Sequence, residues 1–280
     1  MKVAIVGLGI IGEAWADNLV ADGIPLATWN RSPKPNPRPD FVPDLIEAVR
    51  DATHIFIVVA DAPAVADIVG KIVPVLHAGQ TVLQSSTITP DAVRAAAAAV
   101  APTGALFLDS PFTGSKPAAQ QRQTVYYLGG EAAAIEGARP VLEHLSKTIF
   151  HIGGIGSGSA LKLAMNLNIA QVAQALSESL TLARASGISD EIYFQALKAN
   201  VSNSGLTALK EAKIRSADFS PQFSLKHMFK DLRQARDLAG QKGARLPQLE
   251  TVLKVYEEGA ARGFGDLDFI SLIQLLSKGQ

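Results

Sequence analysis

The sequence predicts a doubly wound α/β domain followed by an all-α domain, and three observations carry that expectation. A glycine pattern, Gly7-x-Gly9-x-x-Gly12, stands between an apolar run and a helix-like run. Short β-rich runs then alternate with helical patterns as far as about residue 150, the signature of strand–helix units. Beyond that point only helical periodicity remains. The boundary is placed between 152 and 153, giving domains 1–152 and 153–280.

The expected strands are "KVAIVG", "PLATWN", "HIFIVVA", "QTVLQSS", "ALFLDSP" and "TVYYLGG". Their apolar residues run on instead of alternating, as in a parallel sheet covered on both faces. Between them lie helical patterns such as "EAWADNLVADG", "AVADIVGKIVPVL" and "DAVRAAAAAVA". The interval "RSPKPNPRPDFVP" (31–43) carries prolines at 33, 35, 37, 39 and 43. Proline lacks the N–H a helix needs, so this segment is expected to be an extended, rigid connector. In the second half, "SGSALKLAMNLNIAQVAQALSESLTLARASG" is apolar on almost every face up to Gly187. Such a helix is expected to be buried, between the domains or against another subunit, which predicts a homodimer or homotetramer. "DEIYFQALKAN", "FSLKHMFKDLRQARDLAGQKG", "PQLETVLKVYEEGAARG" and "FISLIQLLSKG" supply further helices.

Composition narrows the function classes. The 280 residues include 26 Lys and Arg against 26 Asp and Glu, so no bulk field draws nucleic acid or an anionic membrane. An acidic small-molecule substrate then needs a local cationic site. Cysteine is absent, which excludes disulfides and thiolate chemistry and fits a reducing, cytoplasmic setting. The opening apolar run is short, broken by glycines and followed by Glu13 and Asp17, so it is not read as a signal peptide, and no membrane span is expected. The five histidines (54, 77, 144, 151 and 227) show no metal-ligand spacing, and no metal is expected. A G-x-S-x-G hydrolase elbow is also missing.

The turn Gly7–Leu8–Gly9–Ile10–Ile11–Gly12 has the strand–turn–helix context of a Rossmann dinucleotide site. In such a site the glycines allow a tight turn, close approach of the pyrophosphate and close helix–strand packing, with phosphate at the positive helix end. The second strand then tells which dinucleotide. NAD sites usually place an acid there, whereas this chain has Asn30, Arg31 and Ser32. A guanidinium grips a 2′-phosphate that a carboxylate would repel, which points to NADP; the bland alternative is an ordinary surface arginine. Val59 and Ala60, closing the third strand run, are further candidate cofactor contacts.

"GIGSGSALKLAMN" (154–166) places Lys162 and Asn166 four apart, on one helix face. Near the positive end of a helix, and buried, a lysine amine is expected to titrate lower and to serve as an acid or base. The preceding glycines would let a ligand approach the backbone; otherwise Lys162 snorkels at the surface and the glycines form a linker. "DSPFTGSKPAA" (109–119) follows a strand, and Thr113, Gly114 and Ser115 offer a hydroxyl and adjacent N–H groups to a carboxylate, or form only a polar turn. "FSLKHMFKDLRQA", with Lys226, Lys230 and Asp231, reads on its own as an amphipathic helix with a charged face.

Taken in order, "GLGIIG" with "NRS", "DSPFTGSKPAA", "GGIGSGSALKLAMN" and "FKDLRQA" resemble the four motifs of the β-hydroxyacid dehydrogenase family, which includes 3-hydroxyisobutyrate dehydrogenase. The resemblance spans nearly the whole chain. It implies Lys162 as catalytic acid/base, Asn166 as a substrate holder, Thr113 and Gly114 as carboxylate binders, and Thr87 and Lys230 as cofactor contacts. "TGSKPAA" most resembles the corresponding stretch of NADPH-dependent glyoxylate and succinic semialdehyde reductases. The chain departs from the pattern at three places. Phe112 replaces a valine and is expected to narrow the substrate loop; Arg122 stands at a glycine position, to meet a second substrate anion or point to solvent; and 31–43 replaces a helix. The resemblance implies reduction of a small carboxylated aldehyde or keto acid, or the reverse oxidation of a 3-hydroxy acid. Alternatives are an imine reductase on the same fold, against which Lys162 argues, and a catalytically silent NADP-binding module.

Overall fold

A computed structural model describes residues 1–32 and 34–276. Pro33 of the connector and the end of the expected terminal helix, from 277 on, lie outside the described residues. The chain divides into two compact units, 1–162 and 163–280.

The first unit opens with β1 (Val3–Val6), α1 (Ile10–Ala21) and β2 (Leu26–Trp29). After the proline-rich connector come α2 (Leu45–Arg50), β3 (His54–Ile57), α3 (Ala62–Ile72), β4 (Thr81–Gln84) and α4 (Pro90–Val100). Helix starts are set by local chemistry. The side chains of Asp44, Asp61 and Thr89 each accept the N–H three residues on. Pro63 lies in the first turn of α3 and Pro90 opens α4, positions where a helix misses no N–H.

The unit continues with β5 (Leu106–Asp109), β6 (Phe112–Thr113), α5 (Lys116–Gln120), β7 (Thr124–Gly129), α6 (Ala132–Glu143) and β8 (Ser146–Gly153). The strand order is β2-β1-β3-β4-β5-β7, with β6 and β8 both pairing β7. The first five strands are parallel, as expected from their unbroken apolar runs. β7 runs antiparallel to β5 and β6 and parallel to β8, so the sheet is mixed. β6 and β8 come in addition to the six expected strands, and α2, α5 and α6 in addition to the helical patterns quoted for this half. "SKTIFHIG" has no fully buried residue and lacks the unbroken apolar run of the central strands.

The sheet buries both faces. On one side Trp15, Leu19, Phe56, Tyr126 and Leu142 pack together; on the other Val49, Ile55, Ile57, Ile68 and Val93 do. Successive strand residues point to opposite faces, which is how one strand feeds two cores. The order reverses direction between β1 and β3, and open sheets of this kind offer a crevice at that point.

The proline-rich connector is more closely held than a surface loop. Thr28 N–H donates to Asp40 O and Val42 N–H to Thr28 O, each at 2.8 Å, which lays residues 40–42 along the outer edge of β2. Arg38 grips Asp40 through two nitrogens at 2.9 and 3.0 Å and also pairs with Asp17 of α1, while Lys34 pairs with Glu13.

The second unit is helical: most of α7 (Ser157–Ala185), then α8 (Asp190–Ala199), α9 (Gly205–Ser216), α10 (Leu225–Lys242), α11 (Pro247–Ala261) and α12 (Ile273–Leu276). Its core gathers Leu163, Leu176, Leu180, Phe194, Leu232 and Tyr256. Within it Lys210, 3% exposed, lies 2.8 Å from Asp268, which is fully buried and also accepts from the N–H of Gln222. Such a pair holds together only because each charge finds the other. The compact units meet at 162/163, beyond the expected 152/153, because the first turns of α7 are bound to the end of β5: Ser159 N–H donates to the Asp109 carboxylate.

Candidate active site

The glycine turn is built as the sequence implies. Gly7 has φ +115°, and a Cβ on it would lie 2.3 Å from Val58 O. A Cβ on Gly12 would lie 1.9 Å from Gly7 O, so this position sets how closely α1 approaches the strand. Gly9 is different: a Cβ there meets nothing within 4 Å. It is the N-cap of α1, with no side chain capping the helix. Open space above uncapped N–H groups at a positive helix end fits a pyrophosphate. Asn30 serves this turn rather than standing apart: its Oδ1 accepts from Leu8 N–H at 3.1 Å, and its Nδ2 donates to Ser32 O at 2.7 Å. Arg31 is exposed and has no ion-pair partner among the described residues.

The neighbouring strand ends are tied together. Val59 N–H donates to Ser86 Oγ at 2.8 Å, and Gln84 brackets Ser86 through both ends of its carboxamide. Ala60 follows directly on the first of these ends and the half-buried Thr87 on the second.

Lys162 is only 8% exposed, so it does not snorkel, and its Nζ donates to Thr113 Oγ1 at 3.3 Å. The pleat explains the neighbour: Thr113 turns to Lys162, while Phe112 turns the other way onto Trp15, ring centroids 4.7 Å apart. Phe112 therefore belongs to the aromatic core, not to the floor of a substrate loop as expected. Gly114 and Ser115 continue the turn into α5.

The glycines before α7 are also redirected. A Cβ on Gly158 would lie 2.2 Å from Tyr127 O and 3.2 Å from Asp109 Oδ2, so the glycine admits the chain's own strands. The positive end of α7 is already occupied by Asp109. Its carboxylate accepts from Ser159 N–H at 2.8 Å and Ser159 Oγ at 2.7 Å, and from the N–H groups of Gly156 and Gly158. Burial pushes the Asp109 carboxyl up to about 6 despite these donors.

In the second unit Asn166, one turn on from Lys162, is 2% exposed and donates its Nδ2 to Asp231 Oδ2 at 2.6 Å. Asp231 Oδ1 lies 3.0 Å from Lys230 Nζ. "KDL" is thus a partly buried polar group rather than a solvated face.

Arg122 is placed elsewhere. Its Nη2 donates to Asp22 Oδ1 at 2.6 Å, at the C-terminal end of α1, the opposite end of that helix from the glycine turn. Asp22 is also bound by His144 at 2.6 Å. The expectation of a substrate anion at Arg122 gives way to this structural pairing. Sequence reasoning misses Asp109 and Ser159 as site residues, although Asp109 opens the quoted 109–119 motif.

Residues 2–153 match the NAD binding domain of 6-phosphogluconate dehydrogenase, and residues 156–276 match the NAD-binding domain of NADP-dependent 3-hydroxyisobutyrate dehydrogenase. The chain belongs to the β-hydroxyacid dehydrogenase family. Its members are NAD(P)-dependent oxidoreductases. Among its members, glyoxylate/succinic semialdehyde reductase 1 of Arabidopsis thaliana is 26% identical, over 98% of both chains. The 2-hydroxy-3-oxopropionate reductase of Escherichia coli is 29% identical, over 99% of this chain and 97% of the relative. The solved Mycobacterium tuberculosis 3-hydroxyisobutyrate dehydrogenase with L-serine is 26% identical and superposes with a TM-score of 0.88 over 99% of both chains. No helix among the described residues is long and apolar enough to cross a membrane.

Proposed function

We propose that this dehydrogenase uses NADPH to reduce a small carboxylated aldehyde or keto acid, of the glyoxylate or succinic semialdehyde type, and can run the reverse oxidation of a 3-hydroxy acid. The observation that carries the proposal is the buried Lys162 amine on the Thr113 hydroxyl. A protonated Lys162 hands a proton to the carbonyl oxygen as the carbonyl carbon takes up hydride, and the neutral amine is then reprotonated from solvent. The bound nicotinamide supplies that hydride. Asp109 fills the N-terminal end of α7, so a substrate carboxylate is left to the Thr113–Gly114–Ser115 turn. Asn166, held by Asp231, is the substrate-holding amide. Arg31, exposed at the end of β2, supports a 2′-phosphate and hence NADP. Lys230, Val59, Ala60 and Thr87 complete the cofactor contacts. Exposed Leu182, Ile188 and Ile192 support a homodimer or homotetramer, which a monomeric mass in solution would refute.

The test follows NADPH and NADH oxidation by absorbance against glyoxylate, succinic semialdehyde and a cyclic imine, for wild type and Lys162→Ala. Turnover of an aldehyde acid with NADPH is expected, with kcat reduced about 10²- to 10⁴-fold in the variant. Turnover of the imine alone, or activity indifferent to Lys162, would overturn the proposal.

A further inference from the structure

We propose that Asp109 is the positioning residue for Lys162, setting the rotation and axial position of α7 so that the lysine amine meets Thr113. This rests on the reading of Lys162 as the proton donor. Two contacts join the segment 109–113 to the start of α7: Asp109 to Ser159, and Thr113 to Lys162. Each member of the second contact lies a few residues beyond its counterpart in the first, so the two are successive rungs between the same pair of segments. Ser159 and Lys162 are three apart and share a helix face. Fixing Ser159 therefore fixes the direction in which Lys162 leaves the helix.

The Asp109 rung is the stronger. It engages both carboxylate oxygens, through a backbone N–H at 2.8 Å and a hydroxyl at 2.7 Å, with Gly156 and Gly158 N–H adding to it. Both rungs are charge-assisted when Lys162 is protonated, but this one makes more bonds and shorter ones. The Lys162–Thr113 contact is longer, at 3.3 Å, and is carried on a flexible four-carbon stem. Gly158 makes the arrangement possible, because any Cβ there would strike Tyr127 O at 2.2 Å and push the helix off the strands. Asp109 is fully buried and no part of it is available to a substrate, so its influence on the reaction passes through α7.

The experiment is a double-mutant cycle. Asp109→Asn, Ser159→Ala, Lys162→Ala and the two combinations with Lys162→Ala are compared by single-turnover NADPH oxidation, and cofactor affinity is read from NADPH fluorescence. Asp109→Asn is expected to lower the rate at least about ten-fold and Ser159→Ala less, both with cofactor affinity within about two-fold of wild type. In the Lys162→Ala background neither should lower the residual rate further, because the group they position is gone. Additive losses, or a fall in cofactor affinity matching the fall in rate, would overturn the proposal. If Asp109→Asn does not fold, Ser159→Ala carries the same cycle. If the residual rate of Lys162→Ala is unreadable, a loss of kcat in Ser159→Ala at unchanged cofactor affinity supports the proposal, and an unchanged kcat refutes it. Full activity in Lys162→Ala would instead refute the proposed function itself.

Discussion

Substituting Gly9 and Gly12 in turn separates binding from folding at the same turn. A methyl group on Gly9 meets nothing within 4 Å, and its backbone, φ −77° and ψ −169°, suits alanine. The folding cost of Gly9→Ala is therefore limited to the poorer N-cap, about 0.5–1 kcal/mol. For a chain of this size that lowers Tm by about 1–4 °C. The same methyl group stands where a pyrophosphate would rest, and a ten-fold loss of affinity corresponds to about 1.4 kcal/mol. Dinucleotide affinity is expected to fall by at least that much. Gly12→Ala behaves in the opposite order. Its Cβ would lie 1.9 Å from a backbone oxygen, so α1 must shift, at a cost of about 1–3 kcal/mol or more. Thermal unfolding measures the first quantity and cofactor fluorescence titration the second. Unchanged dinucleotide affinity in a folded Gly9→Ala protein would refute the assignment of the cradle to this turn.

Three further outcomes are expected. Asp109 has its carboxyl raised from 3.8 to about 6, so the folded state binds its proton more tightly than the unfolded chain does. Its burden is full above about pH 6 and fades as pH falls toward 3.8, so wild type should gain about 2–3 kcal/mol of stability relative to Asp109→Asn between pH 8 and pH 4 in denaturant titrations; a difference independent of pH would refute this. Arg122 holds φ +58° as well as its pair with Asp22, so Arg122→Gly should be about 1 kcal/mol more stable than Arg122→Ala, with KM for the carboxylated substrate unchanged in both; a raised KM would restore a substrate role. Lys210→Met strands a fully buried Asp268 carboxylate and should cost about 3–5 kcal/mol in unfolding experiments at neutral pH, and a loss below about 1 kcal/mol would mean the carboxylate finds another partner.

The parallel half of the sheet was legible because its strands are buried on both faces and their apolar runs have no competing reading. β8 was not, since a half-buried edge strand with Lys147 and His151 in it resembles a loop. The glycine turn and Lys162 were legible through spacing. The pairing of Asp109 with Ser159 was not, because the two lie 50 positions apart and only the fold brings them together. Phe112 and Arg122 show the converse: both are local departures from a motif, and their side chains answer to Trp15 and Asp22, residues about 100 positions distant.

The connector along β2 has a consequence for how the molecule meets its neighbours. β2 ends the sheet, and an end strand offers free N–H and C=O groups to any passing chain. Here Asp40 and Val42 take up both backbone groups of Thr28, and prolines at 35, 37 and 39 leave the connector itself short of donors. The segment shields this edge of the sheet at Thr28 against further strand addition, so the rim next to the glycine turn is a poor template for aggregation.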